Sequence, residues 1–114
     1  MIARKIILKT SEKEQGLTYK NLLVSVLSMP TDPRAGMKYE EMRRSGKVID
    51  LIEAEPDDTF VLLSIEQHAD LVRRLKNFQW ARRIKFIEDM INDVEQAPEV
   101  ELTEAGPAVV AGAM

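Results

Sequence analysis

The stretch "TFVLLSIEQHADLVRRLKNF" (residues 59–78) changes from strand-like to helix-like composition within a few residues. Its first part, "TFVLLS", is short and apolar, as is typical of strands. "SIEQ" follows at once and forms a capping box, in which Ser64 caps a helix and Gln67 stands at the third helical position. A strand that runs directly into a capped helix predicts helices packed on a sheet.

A second strand-like segment lies at the start of the chain. In "IARKIILKT" (residues 2–10), Ile6 and Leu8 alternate with Lys5 and Lys9, which is the period of a strand with one buried face. A sheet of only two strands would leave the edge of this segment open, and an open edge invites pairing with another chain. We therefore expect a homodimer formed through this first strand.

Two helical segments separate the two strands. "LTYKNLLVSVLSMP" (residues 17–30) has Thr18 as its N-cap and ends before Pro30, because the residue before a proline is pushed out of helical geometry. "MKYEEMRRSGKVIDLIEAE" (residues 37–55) is the second helix, and its predicted core positions are Tyr39, Met42, Ile49 and Ile52. Gly46 interrupts this series, so it predicts either a close backbone approach or a break between two shorter helices.

The last helix has the most regular apolar pattern. Trp80, Ile84, Ile87, Ile91 and Val94 step by 4, 3, 4 and 3 residues, which makes one stripe on a helix. The segment after it, "PEVELTEAGPAVVAGAM", is predicted to be a mobile tail over residues 98–114, so that residues 1–97 form a single domain. The predicted fold class is α+β, with two short strands packed by four helices in the order β-α-α-β-α-α.

Composition restricts the chemistry of the 114-residue chain. It has no cysteine and one histidine, His68, which we expect to be a satisfied residue on the core side of a helix. Neither a metal centre nor a cofactor site nor a catalytic motif is predicted, and the chain is not expected to be an enzyme. Its N-terminus does not resemble a signal peptide, and no apolar run approaches the roughly 20 residues that span a bilayer. These features predict a cytoplasmic protein.

Charge is concentrated in "RRLKNFQWARRIKF" (residues 73–86), which holds six basic residues and three aromatic ones but no acid. This stretch carries +6 while the rest of the chain sums to −9. The aromatic residues fit the core stripes better than a stacking platform. The bases predict a contact surface for a partner, formed by Arg73, Arg74, Lys76, Arg82, Arg83 and Lys85.

An internal role for these bases is the alternative. Asp70 lies four residues before Arg74, and Lys85 lies four before Asp89, so local helix pairs are expected. Bases at the start of the fourth helix oppose the helix dipole, so either an acidic partner or the protein's own "EAEPDD" turn must favour them. Nucleic acid is a further possible partner, although a net charge of −3 gives no overall attraction to it.

Four segments carry a family resemblance: "LTYKNLLVSVLSMP", "MKYEEMRRSGKVIDLIE", "LSIEQHADLVRRLKNFQW" and "FIEDMINDV". Over residues 2–96 the chain resembles small accessory and structural proteins of tailed bacteriophages and prophages. The resemblance implies a viral protein, located in the host cytoplasm, that binds a host or virion protein.

The function that these observations favour is non-enzymatic: protein–protein interaction through a charged face. The alternatives are a nucleic-acid-binding accessory protein and a structural component of the virion or of its assembly.

Overall fold

The structure is a computed structural model, and it describes residues 2–11, 17–30, 34–80, 82–103 and 106–109. Its elements, in chain order, are β1 (Ile2–Ile7), α1 (Tyr19–Ser28), α2 (Tyr39–Glu53), β2 (Phe60–Ser64), α3 (Ile65–Asn77), α4 (Lys85–Glu95), β3 (Glu99–Thr103) and β4 (Gly106–Val109). The α+β class is confirmed, and the first six elements follow the predicted order. The described residues contain no helix long and apolar enough to cross a membrane.

The four strands form one antiparallel sheet in the order β2-β1-β3-β4. β1 therefore has a neighbour on each side: Ile6 pairs with Val61 of β2, and Ala3 pairs with Val100 of β3. The prediction of a homodimer through the edge of β1 is wrong in its location, because β1 lies between β2 and β3 and is not an edge strand. The edge strands are β2 and β4.

The strand count is higher than predicted, because β3 and β4 come from the segment that was expected to be a tail. The Lys5 amide donates to the Pro98 carbonyl at 2.9 Å, and an Arg4–Glu99 ion pair of 3.4 Å lies beside it. Val100 is buried, whereas its neighbours Glu99 and Glu101 are half-exposed. The sequence "EVE" therefore already carried the alternation of polar and apolar residues that is typical of a strand. Residues 110–114 lie outside the described residues, and the mobility expected of them stays a prediction.

The helices cover one face of the sheet. Ile6, Leu8, Val61 and Leu63 point to this face and join the core, together with apolar residues from all four helices. The opposite face carries Ala3, Lys5 and Ile7 of β1, which alternate with the core residues. Ile7 is 50% exposed there, so part of this outer face is apolar and open.

Side-chain caps fix the starts of α1 and α3 as predicted. The Thr18 hydroxyl accepts from the Asn21 amide at 3.0 Å. At α3, the Ser64 hydroxyl accepts from the Gln67 amide at 3.1 Å, while the Gln67 side chain accepts from the Ser64 amide at 2.9 Å. Ser64 is at once the last residue of β2 and the cap of α3, so strand and helix join without a loop.

A buried tyrosine ties α1 to α4. Tyr19 is 1% exposed, and its hydroxyl donates to Asp93 Oδ2 at 2.6 Å. Lys9 donates to the same carboxylate at 3.0 Å. Burial, and then the hydrogen bond to the Asp93 carboxylate, raise the pKa of Tyr19 well above its usual range, because both disfavour a phenolate here.

α2 and α4 differ from their predicted patterns. α2 is continuous through Gly46, and a Cβ at Gly46 would meet nothing within 4 Å, so neither a break nor a close approach explains this glycine. α4 begins only at Lys85, so Trp80 and Ile84 pack on the core from the segment before the helix. Within α4 the buried residues are Ile87, Met90 and Val94, whereas Ile91 is half-buried.

Candidate interaction surface

The six bases of the predicted contact surface lie on two elements and the segment between them. Arg73, Arg74 and Lys76 are on α3, Lys85 is the first residue of α4, and Arg82 and Arg83 precede that helix. The premise that Arg82 and Arg83 begin a helix and oppose its dipole is therefore wrong. The described residues between α3 and α4, 78–80 and 82–84, lie outside any helix.

Most of these bases are paired with acids of the same chain. Arg73 pairs with Asp70, and Lys76 Nζ lies 2.6 Å from Glu95 Oε1. Arg83 Nε lies 2.6 Å from Glu88 Oε1. This bond, followed by the Arg83 charge, lowers the pKa of Glu88, and the same contact raises the pKa of Arg83. None of these acids comes from the "EAEPDD" turn.

Arg74 is a structural residue, because its side chain is only 4% exposed. Its Nε donates to Asp70 Oδ2 at 3.0 Å, and its Nη2 lies 3.3 Å from Glu41 Oε1. The predicted Asp70–Arg74 pair is thus confirmed, and Glu41 adds a link from α3 to α2. A partner cannot reach this guanidinium, so Arg74 is not available to a contact surface.

Only Arg82 and Lys85 of the predicted set are exposed cations that make no ion pair with any described residue. The expected Lys85–Asp89 pair does not form among the described side chains. The aromatic residues of the stretch behave as predicted: the Phe78 and Trp80 rings lie 4.5 Å apart and pack against the core, as does Phe86. The basic stretch is thus largely neutralised on its own surface.

The exposed side of α2 carries a second set of cations. Arg43, Arg44 and Lys47 are exposed and make no ion pair within the described part of the chain. Tyr39, 73% exposed, stands four residues before Arg43, and Arg43 stands four before Lys47, so the three share one helix face. We call the surface formed by Tyr39, Met42, Arg43, Gly46 and Lys47 the α2 outer face.

The α2 outer face is apolar as well as basic. Met42 is 56% exposed and flanks the cations, and Gly46 lies between them with open space above it. An exposed ring and an exposed thioether thus lie beside cations that pair with no described acid. The arrangement suits contact with a surface that is acidic and partly apolar.

The α2 outer face was missed because two helical patterns overlap in this segment. Tyr39 and Met42 were predicted to face the core with Ile49 and Ile52, but the core side is Ser45, Val48 and Ile52. The spacing of 3 and 4 in that second set is equally helical. A polar residue, Ser45, occupies one of its positions, and this hid the correct register.

The single histidine, His68, lies on the core side of α3. His68 is 7% exposed, and its Nε2–H donates to the Val94 carbonyl at 2.6 Å, so it is the satisfied core-side histidine that the sequence predicts. Among the described residues, no group of three or more potential ligands is placed to hold a metal ion. The expectation that the chain is not an enzyme stays a prediction.

No protein-family model, curated protein or solved structure matches this chain. The geometry of the surface is therefore the basis for a functional proposal.

Proposed function

We propose that this chain is an interaction protein that binds an acidic surface of another protein through the α2 outer face. The observation that carries the proposal is that Arg43 and Lys47 are exposed, pair with no described acid, and lie beside exposed Tyr39 and Met42. Aromatic, methionine and arginine side chains are enriched at protein–protein contacts, where rings and long side chains supply most of the buried area. The proposed contact surface is therefore the α2 outer face and not the basic stretch of residues 73–86.

Gly46 supports the same proposal. A glycine inside a helix destabilises it by about 0.5–1 kcal/mol relative to alanine, and nothing in the fold needs one at this position. A smooth strip between Met42 and Lys47 lets a partner approach the helix backbone. Selection for a contact surface accounts for a residue that packing does not require.

Nucleic acid is the second candidate partner, since Arg43 and Lys47 on one helix face also suit phosphates. The chain carries −3 overall, so attraction would be confined to this face. Binding to phosphates falls steeply with salt, with a logarithmic slope of about −0.9 for each phosphate neutralised on duplex DNA. A contact with Tyr39 and Met42 at its centre depends less on salt.

The resemblance to proteins of tailed bacteriophages bears on the partner's origin. It favours a bacterial host protein bound in the cytoplasm, and a virion or assembly protein is the alternative within the same proposal. A host protein and a virion protein would both bind the α2 outer face, and identifying the captured protein distinguishes these two candidates.

The experiment compares two charge reversals of equal size. Tagged wild-type protein, the Arg43→Glu/Lys47→Glu variant and the Arg82→Glu/Lys85→Glu variant are used to capture proteins from host-cell lysate, with quantitative mass spectrometry as the readout. All four side chains are exposed and make no ion pair in the described part of the chain, so both variants should fold alike. We expect the α2 variant to lose capture and the control to keep it.

Two results would contradict the proposal. Loss of capture only in the Arg82/Lys85 variant would return the contact to the basic stretch. Equal capture by all three proteins would place it away from both sets. Anisotropy of a labelled duplex, titrated in rising salt, decides the nucleic-acid alternative: a steep slope that the α2 variant abolishes would favour phosphates.

A further inference from the structure

β2 is an edge strand whose outer side has no strand partner among the described residues. Its sequence from Phe60 to Ser64, "FVLLS", has no charge and no proline, and the first charge after it is Glu66 in the first turn of α3. Natural edge strands are normally protected by lysine, proline, a bulge or a covering element. The other edge, β4, contains Pro107, which lacks an amide hydrogen. At β2, a bulge at Asp58 and Thr59 precedes the strand and Lys5 of β1 lies over the Phe60 ring, so the open part of this edge is the backbone of residues 60–62.

The ladder shows which backbone groups of β2 are open. The Leu8 amide donates to the Thr59 carbonyl at 2.8 Å while the Leu8 carbonyl accepts from the Asp58 amide at 2.7 Å, so Asp58 and Thr59 together lie opposite Leu8 in a bulge just before β2. The Leu8–Thr59 bond marks the register of the ladder that follows. Hydrogen-bonded pairs alternate along an antiparallel ladder, which makes Ile6–Val61 and Arg4–Leu63 the next ones. The amides and carbonyls of Phe60 and Leu62 therefore point away from β1, toward the open side.

Ser64 does not extend this open set. Its amide donates to the Gln67 side chain at 2.9 Å, and its carbonyl belongs to the first turn of α3. The free edge is thus short and symmetric about Val61. A partner strand can bond to it only at Phe60 and Leu62.

We propose that β2 pairs antiparallel with β2 of a second copy of this chain, with Phe60 opposite Leu62 of the second copy. This is the register in which every open group finds a partner, since each of the two Phe60–Leu62 pairings exchanges two hydrogen bonds. Val61 then lies opposite Val61 of the second copy in a pair that is not hydrogen-bonded. The result is one sheet that continues through both copies.

The side chains around β2 favour a second copy over a charged partner. On the outer face, Phe60 and Leu62 are half-buried and Ile7, next to Phe60, is 50% exposed. Ile65, directly after the strand, is 44% exposed. These residues are uncharged, although Lys5 of β1 lies on the same face with its Nζ 4.4 Å from the centre of the Phe60 ring. Self-pairing brings no like charges together within β2, and it covers apolar surface that one copy leaves open.

The first test is a cysteine placed at the symmetric position. The chain has no cysteine, so Val61→Cys introduces a single thiol. In a pair that is not hydrogen-bonded, Cα atoms are about 4.5 Å apart, within the range that a disulfide spans. We expect oxidised glutathione to convert Val61→Cys to a covalent dimer, and to leave Leu63→Cys, which is on the same face and equally buried, as a monomer on a non-reducing gel.

The second test removes one open amide. Phe60→Pro deletes an amide that β1 does not use, and Phe60→Val removes the same ring but keeps the amide. Sedimentation at micromolar concentration should show a dimer for the wild type and for Phe60→Val. Phe60→Pro should raise the dissociation constant roughly tenfold or more, since the dimer loses a hydrogen bond at each end.

Three outcomes overturn the proposal. A wild-type monomer at every concentration tested would leave the edge free for a strand of a different protein. Cross-linking of Leu63→Cys with no cross-linking of Val61→Cys would show another register. A dimer that Phe60→Pro and Phe60→Val weaken equally would show association through side chains rather than through the strand edge.

Discussion

At the scale of single residues, Arg74 shows how burial changes the role of a charge. Replacing it with methionine would remove one guanidinium contact from Glu41 and one from Asp70, which keeps its pair with Arg73. We expect Arg74→Met to destabilise the fold by about 1–3 kcal/mol in urea denaturation, because two partly buried carboxylates each lose a charged hydrogen-bond partner. Arg73→Met, at a side chain 59% exposed, is the control and should change stability by less than about 1 kcal/mol. Equal losses would contradict the structural role of Arg74.

Replacing Gly46 is expected to stabilise the fold, whereas replacing Arg74 is expected to destabilise it. Gly46→Ala places a methyl group in open space on a continuous helix, so thermal unfolding should show a gain of about 0.5–1 kcal/mol. The same variant should capture less partner if the α2 outer face is closely approached there. A loss of stability would mean that the Gly46 backbone is not in ordinary helical geometry.

Tyr19 predicts a dependence on alkaline pH. Its pKa is raised in the folded protein, by burial and by Asp93, so the folded state keeps a phenol proton that the unfolded chain releases above about pH 10. The stability that this group contributes is full below that pH and is lost as pH rises further. Tyr19→Phe should therefore lose less stability than the wild type between neutral and alkaline pH. Tyr39→Phe, which removes the hydroxyl of an exposed ring, is the control and should lose as much stability as the wild type over the same pH range.

At the scale of elements, substitutions in α4 can show which side of this helix faces the core. Met90 is fully buried and Ile87 nearly so, whereas Ile91 is half-buried. Met90→Ala and Ile87→Ala should each destabilise the fold by about 2–5 kcal/mol, because both leave a cavity. Ile91→Ala should cost clearly less in the same denaturant titration. A larger loss at Ile91 than at Met90 would support the original stripe.

The elements also show what the sequence could and could not predict. Thr18 and Ser64 were correctly predicted as caps because capping depends on neighbours within three residues. In α2 the predicted core positions Ile49 and Ile52 were confirmed, whereas Tyr39 and Met42 were wrong because they are exposed and the buried place in that half of the helix belongs to the polar Ser45. Arg74 was predicted to belong to a contact surface, and this was wrong because it is buried against Glu41. Glu41 is far away in sequence, so no local spacing reveals this contact.

At the scale of the whole molecule, the C-terminal strands predict the effect of truncation. The sequence pattern implied that deleting residues 99–114 would leave the melting temperature nearly unchanged. β3 instead pairs with β1 and buries Val100, so this deletion should lower the melting temperature by several degrees or more, given about 4–8 °C for each kcal/mol in a small domain. Deleting only residues 110–114 keeps both strands and is the matched comparison. Equal effects would contradict a stabilising role for β3.

The central position of β1 has a consequence for synthesis on the ribosome. β1 is translated before both of its neighbours, β2 and β3. Until β3 follows, one side of β1 stays unpaired in the nascent chain, and open strand edges attract chaperones or aggregate. Premature termination after α4 leaves this side of β1 permanently open. We expect such fragments to be cleared by cellular proteases, whereas chains that include β3 accumulate.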